Sequence, residues 1–102
     1  MTRRVLFVLH AARDEAVELA KQAARGLIAH GLEVAIADAD SGYLDVDGVL
    51  HTDSADGSEL VIVFGGDGTI LRGVEVARPH NIPVLGINLG HVGFLAEADA
   101  ED

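Results

Sequence analysis

The sequence predicts an α/β fold, with a doubly wound, mostly parallel sheet covered by helices on both faces. Three observations lead there. Apolar runs of strand length alternate with helical patterns along the chain. Two of those runs, residues 5–9 and 60–64, are apolar at every position, as strands are when both faces of a parallel sheet are covered. A cluster of glycines then follows the second run directly, at the place where such sheets receive ligands.

The elements follow in order. Residues 5–9 form the first strand. The Met1-Thr2-Arg3-Arg4 start gives this run a superficial likeness to a signal peptide. It lacks a small-residue cleavage site, however, and breaks into His10-Ala11-Ala12-Arg13-Asp14-Glu15. Over residues 13–30, Ala16, Leu19, Ala20, Ala23, Ala24, Leu27 and Ile28 recur at helical spacing, and Gly31 supplies a stop. Residues 32–37 are a second strand. Residues 38–59 hold seven carboxylates and three glycines and read as a solvated acidic loop. A calcium loop counted from Asp38 needs Gly at position 6 and Glu at position 12, where this chain has Tyr43 and Val49. Residues 60–64 are the third strand. Residues 69–78 predict a second helix, with Ile70, Leu71, Val74 and Ala77 on one face. Pro79 and Pro83 bracket a turn, residues 84–87 form a fourth strand, and a glycine-punctuated loop runs from Asn88 to Phe94.

At 102 residues the chain is one small domain or part of a larger protein. Hydrophobic residues make up 49% of it and aromatic residues 4%, so the core must be built from Val, Ile, Leu and Ala. No apolar run approaches the roughly 20 residues of a membrane span. Cysteine is absent, which excludes disulfides, thiol catalysis and sulfur-rich zinc sites and fits a cytoplasmic setting. The net charge of −10 argues against binding long nucleic acid through its phosphates. No Lys or Arg lies between Arg25 and Arg72. A chain with so few cations must meet phosphate with backbone N–H groups, a metal ion or its few arginines.

The stretch Gly65-Gly66-Asp67-Gly68-Thr69 concentrates that question. Glycine admits positive φ and lets a ligand approach the backbone closely, and a helix N-terminus offers N–H groups to an anion. The plainer reading is a tight turn with Asp67 or Thr69 as the helix cap. Three glycines around one acid, directly after a buried strand, favour a phosphate site. A dinucleotide fingerprint would need a glycine where Leu71 stands, and a P-loop needs a lysine, yet Lys21 is the only one. A carboxylate beside phosphate either holds a metal ion or takes a proton from an attacking hydroxyl. Both are kinase chemistry.

Together with Pro83-Val84-Leu85-Gly86-Ile87-Asn88-Leu89-Gly90-His91-Val92-Gly93-Phe94-Leu95, this motif resembles the NAD kinases. Diacylglycerol-type lipid kinases share the first motif but tend to continue with a Pro-Leu-Gly-Thr-Gly-Asn type of loop. The resemblance covers nearly the whole chain and implies a Rossmann-like N-terminal α/β nucleotide-binding domain over residues 1–102. A β-rich, NAD-binding C-terminal domain with an Asn-Glu or Asn-Asp motif would lie outside these residues. The implied activity is transfer of phosphate from ATP or polyphosphate to the 2′-hydroxyl of the adenosine ribose of NAD. A divalent metal ion (Mg) would assist, in a cytoplasmic homo-oligomer that binds neither nucleic acid nor membrane. On that resemblance Asp67 orients and deprotonates the hydroxyl, Gly66 and Gly68 let substrate approach, and Asn88 and Phe94 line the NAD site.

Other residues carry expectations from position alone. Arg72, five residues after Asp67, and Arg13, just past the first strand, are candidate phosphate contacts. Surface roles are their alternatives. Thr69 is expected to cap the helix and to offer its N–H to phosphate. His91 lies in the second loop at the edge of the implied NAD pocket. The acidic tail over residues 97–102 looks like a cut before a further element, and an isolated piece with one wall of a cleft is expected to transfer phosphate poorly. A lipid kinase and a non-catalytic nucleotide sensor remain the competing readings; the acidic charge disfavours a protein that works on an anionic membrane.

Overall fold

The computed structural model describes residues 3–10, 13–52 and 54–88. Its strands are β1 (Arg4–Leu9), β2 (Glu33–Ala37), β3 (Leu50–Thr52), β4 (Leu60–Gly65) and β5 (Val84–Asn88). Its helices are α1 (Asp14–Ala29) and α2 (Asp67–Ala77), with a 3-10 helix over Asp38–Tyr43 and a short 3-10 turn over Arg78–His80. The strands form one sheet in the order β3-β2-β1-β4-β5, and every pairing is parallel. This is the doubly wound α/β architecture that the sequence predicts.

Strand alternation explains how two helices bury the centre of the sheet on both faces. Val5, Phe7 and Leu9 of β1 face one side. There they pack with Val34, Ile36, Ile62 and Phe64 beneath Ala16, Ala20 and Ala24 of α1. Leu6 and Val8 face the other side and pack with Val61, Val63 and Ala77 of α2. Each strand of this centre is thus buried on both faces, which is why residues 5–9 and 60–64 are apolar throughout. The alanines let α1 lie close to the sheet, and the rings of Phe7 and Phe64 meet beneath it with centroids 4.8 Å apart and planes tilted by 58°. On the opposite face Gly73 plays the same part for α2, since a Cβ there would stand 2.3 Å from Val63 Cγ2.

The end of α1 follows its sequence signal. Gly31 takes φ +90° just past α1. Its N–H donates to the Ile28 carbonyl and that of Leu32 to the Leu27 carbonyl, which satisfies the last carbonyls of the helix. The acidic stretch departs from expectation. It is not loop throughout, because residues 38–43 coil into a 3-10 helix and residues 50–52 add a fifth strand beside β2. Nor is it wholly solvated: Asp40 is 3% exposed.

Candidate functional site at the carboxyl edge of the sheet

β1 and β4 are neighbours at the centre of the sheet, yet the chain leaves β1 towards β2 and leaves β4 towards β5. The gap between their carboxyl ends is therefore the switch point where open α/β sheets bind ligands. His10 begins the turn after β1, and its N–H donates to the Phe64 carbonyl at 3.0 Å. Arg13 ends that turn as the residue before α1. Its N–H donates to the His10 carbonyl at 3.0 Å, and its guanidinium to Glu15 Oε1 at 3.1 Å. The Gly65–Thr69 turn lies alongside, and Asn88 at the end of β5 stands in register with Gly65.

The glycines of this turn divide by role. A Cβ on Gly65 would stand 2.9 Å from both Cβ and Oγ1 of Thr69 and 3.0 Å from His10 Cβ. Gly65 is thus a packing requirement where two turns meet. Gly66 and Gly68 face open space, with nothing within 4 Å of a built Cβ. Their missing side chains leave room above the turn. Positive φ, the other reason to place glycine, is not used here: the glycines that adopt it among the described residues are Gly31, Gly48 and Gly57.

Asp67 is the first residue of α2 and exposed. It therefore projects at the helix end whose first N–H groups have no intrahelical acceptor. The N-cap is Gly66, which makes no side-chain capping bond, and the Ile70 N–H closes the first turn on the Gly66 carbonyl at 3.0 Å. Thr69 is consequently not the cap that the sequence suggested. It sits inside the first turn, half-buried against Gly65. Arg72 is one turn further on. Its Nη2 donates to Asp40 Oδ2 at 2.5 Å and to the Leu9 carbonyl at 3.2 Å.

The structure thus gathers Arg13, Gly66, Asp67, Gly68, Thr69, Arg72 and the backbone of Asn88 at one edge. Phe94 and His91 lie outside the described residues. Asp40 is the residue that sequence reasoning missed. It was hidden among solvated acids, and its one signal was its place just after the carboxyl end of β2. Among the described residues no three His, Asp or Glu side chains converge to hold a metal ion. Two grooves, of about 550 and 430 Å³, lie at the opposite pole. One is lined by Ile28 and Val46 near the end of α1, the other by Val74 and Ile82 near the end of α2. Neither reaches Asp67.

A doubly wound sheet whose switch point carries a carboxylate at a helix start, with glycines holding the approach open, defines a ligand-receiving α/β domain. The chain belongs to the ATP-NAD kinase N-terminal domain family, whose profile matches residues 5–102. It is 42% identical over 106 residues to NAD kinase 2 of Streptomyces coelicolor, an alignment covering 98% of this chain and 35% of that protein. With the NAD kinase of Mycobacterium tuberculosis it shares 44% over 117 residues, covering 97% of this chain and 38% of the relative. A shorter match, 64% over 50 residues, joins it to the NAD kinase of Thermobifida fusca, covering 49% of this chain and 15% of the relative. The chain therefore spans little more than a third of the length of the Streptomyces and Mycobacterium relatives.

Proposed function

We propose that this chain is the N-terminal α/β nucleotide-binding domain of an NAD kinase, which transfers the terminal phosphoryl group of ATP or polyphosphate to the 2′-hydroxyl of the adenosine ribose of NAD. The observation that carries the reading is the exposed Asp67 carboxylate at the first position of α2, over the switch point, with open space above Gly66 and Gly68. Relatives named NAD kinase support it.

In this reading Asp67 accepts the proton of the 2′-hydroxyl as the ribose oxygen forms its bond to phosphorus. The bond from phosphorus to the bridging oxygen of the donor breaks, and the shortened phosphate chain leaves with that oxygen and its electron pair. A carboxylate is suited to this task because phosphoryl transfer needs the nucleophile aligned more than it needs a strong base. The backbone N–H groups of Gly68 and Thr69, with Arg72 and Arg13, offer positive charge to the phosphates. Asn88 and Phe94 border the dinucleotide. A divalent ion (Mg in this reading) neutralises phosphate charge when bound. Ions of this kind are commonly held by one or two carboxylates and the substrate phosphates rather than by a protein cage. Among the described residues no three His, Asp or Glu side chains converge, so an ion bound here would rest mainly on the substrate phosphates and water. The working enzyme is a cytoplasmic bacterial homo-oligomer in which a β-rich C-terminal domain supplies the rest of the NAD pocket. No described helix is long and apolar enough to cross a membrane.

The test is an acceptor comparison with the complete gene product. NAD and a diacylglycerol emulsion are offered separately with labelled ATP. Label appearing in NADP supports the reading, label in lipid favours a lipid kinase, and nucleotide binding without transfer favours a sensor.

A further inference from the structure

The bonds of Arg72 run into the protein rather than out of it. Nη2 directs one hydrogen to Asp40 Oδ2 and the other to the Leu9 carbonyl. Because Nη2 belongs to both two-donor edges of a guanidinium, no paired edge is left to grip an oxyanion. Asp40, which has no role in the reading above, is the most buried acid among the described residues, at 3% exposure. Among those residues its carboxylate is bonded by Arg72 alone. One side chain therefore ties three segments of the carboxyl edge together: α2, the end of β1 and the 3-10 helix that follows β2.

The tie lies where α2 needs one. Its N-cap, Gly66, makes no side-chain capping bond, and Gly68 in the first turn is a poor helix former. Ile70 and Gly73 rest on the sheet, against Gly86 of β5 and Val63 of β4. At 3.6 residues per turn, Arg72 projects about 160° around the axis from Ile70 and about 100° from Gly73. They hold the underside of the helix, and Arg72 holds the flank that faces β1 and β2. With the underside alone fixed, α2 could roll about its axis. A side-chain atom about 5–6 Å from that axis moves about 1 Å in a roll of about 10°. A displacement of about 1 Å at a reacting group can cost about 10²-fold in rate. A buried ion pair rarely stabilises a fold more than apolar residues of the same volume would; its better-attested use is to specify one arrangement.

We infer that Asp40 is a positioning residue: through Arg72 it fixes the roll of α2, and with it the direction in which Asp67 faces the acceptor hydroxyl. This rests on the kinase reading and deepens it, because the acid that carries the chemistry is aimed by a second acid buried beneath the site. Arg72 still brings positive charge to this edge; the clasp is its second task.

The experiment uses the complete gene product with Asp40→Ala, Arg72→Met and the paired substitution Asp40→Leu with Arg72→Met, each made with and without Asp67→Asn. Arg72→Met alone strands a buried carboxylate, whereas the paired substitution exchanges the ion pair for apolar side chains, which buried pairs elsewhere tolerate. At saturating ATP and NAD, kcat falls about ten- to a hundredfold in each folded variant, and both KM values stay within about twofold of the parent. The fall shrinks to within about twofold once Asp67→Asn is present, since no base is then left to aim. Amide hydrogen exchange is the readout independent of turnover. The amides of residues 70–73, which close the first turns of α2, exchange about tenfold faster without the clasp, while α1 and β4 exchange as in the parent.

Parent-like kcat in a folded variant, raised KM with kcat unchanged, or an equal loss with and without Asp67→Asn overturns the inference. So does unchanged exchange over residues 70–73, or exchange that quickens across α1 and β4 as well, which would mark a general loosening of the fold. Should Arg72→Met fail to fold, the paired substitution decides the matter with no stranded charge. Should the protein not phosphorylate NAD, the kinase reading falls, and the exchange measurement still decides whether Asp40 and Arg72 hold the start of α2.

Discussion

The two poles of the sheet are built on opposite plans. At the amino pole, the chain spends its charges on itself. Arg3 grips Glu59 through Nε and Nη2 at 2.7–3.1 Å, and Arg4 donates to Glu33 at 3.0 Å. Of the two grooves there, one mixes Ile28, Ala29 and Val46 with Arg25, Asp45 and Asp47, and the other is mainly apolar around Val74, Ile82 and Val84. At the carboxyl pole the backbone is laid bare above Gly66 and Gly68, an acid is exposed at a helix start, and an arginine is fixed by one corner. The difference teaches that concavity alone does not locate this site. In the proposed reading the chemistry sits where side chains are missing, above Gly66 and Gly68 at the edge set by the switch in strand order.

Substitutions can break this contrast, beginning with the largest expected effect on folding. Gly73→Val places a branched side chain where even a Cβ would stand 2.3 Å from Val63 Cγ2. It should cost about 1–3 kcal/mol or more by overpacking, read as a lowered midpoint in denaturant unfolding. Gly65→Ala comes next, because its Cβ is opposed by Thr69 and His10 at 2.9–3.0 Å. It should cost about 1 kcal/mol and also shift the Asp67 turn, so NADP formation should fall further than stability does.

Gly68→Ala sharpens the comparison, because its two effects have opposite signs. Nothing lies within 4 Å of the new Cβ, and alanine is favoured over glycine inside a helix by up to about 1 kcal/mol. The variant should be as stable as the parent or more so in thermal unfolding, yet bind ATP or NAD more weakly in titration. A variant that is more stable and binds normally would mean that the space above the turn is not used.

The smallest effect belongs to the amino pole. The hydrogen bond from Arg3 holds the Glu59 carboxyl below its ordinary value of 4.5, and Glu59 raises Arg3. A lowered carboxyl contributes stability that is present above its ordinary value and lost as pH falls through its folded value. Glu59→Gln should therefore trail the parent slightly in melting experiments near neutral pH and at low salt. The gap should close on acidification and in high salt, since both groups are exposed.

Much of this fold can be read from residue pattern. Continuous apolar runs gave the central strands, and the spacing of Ala16, Ala20 and Ala24 gave α1, because both signals record burial directly. β3 escaped because a three-residue edge strand with exposed Leu50 and His51 carries no such record. Asp40 escaped for a related reason: its burial depends on an arginine 32 residues away, a pairing created by topology and invisible to local composition. Gly65, Gly66 and Gly68 were legible as a group, but their division into one packing glycine and two approach glycines needed the positions of Thr69 and His10. Thr69 was misread as a cap because its side chain is committed to Gly65 instead.

The most direct measurement is the turnover of Asp67→Asn in the complete gene product, with KM for both substrates recorded alongside. The amide keeps the shape of the side chain and removes its ability to accept the proton. The account predicts a fall in kcat of about 10²–10⁴, with both KM values close to those of the parent. Unchanged kcat would contradict it, and would reduce the Gly65–Thr69 turn to a bend in the chain.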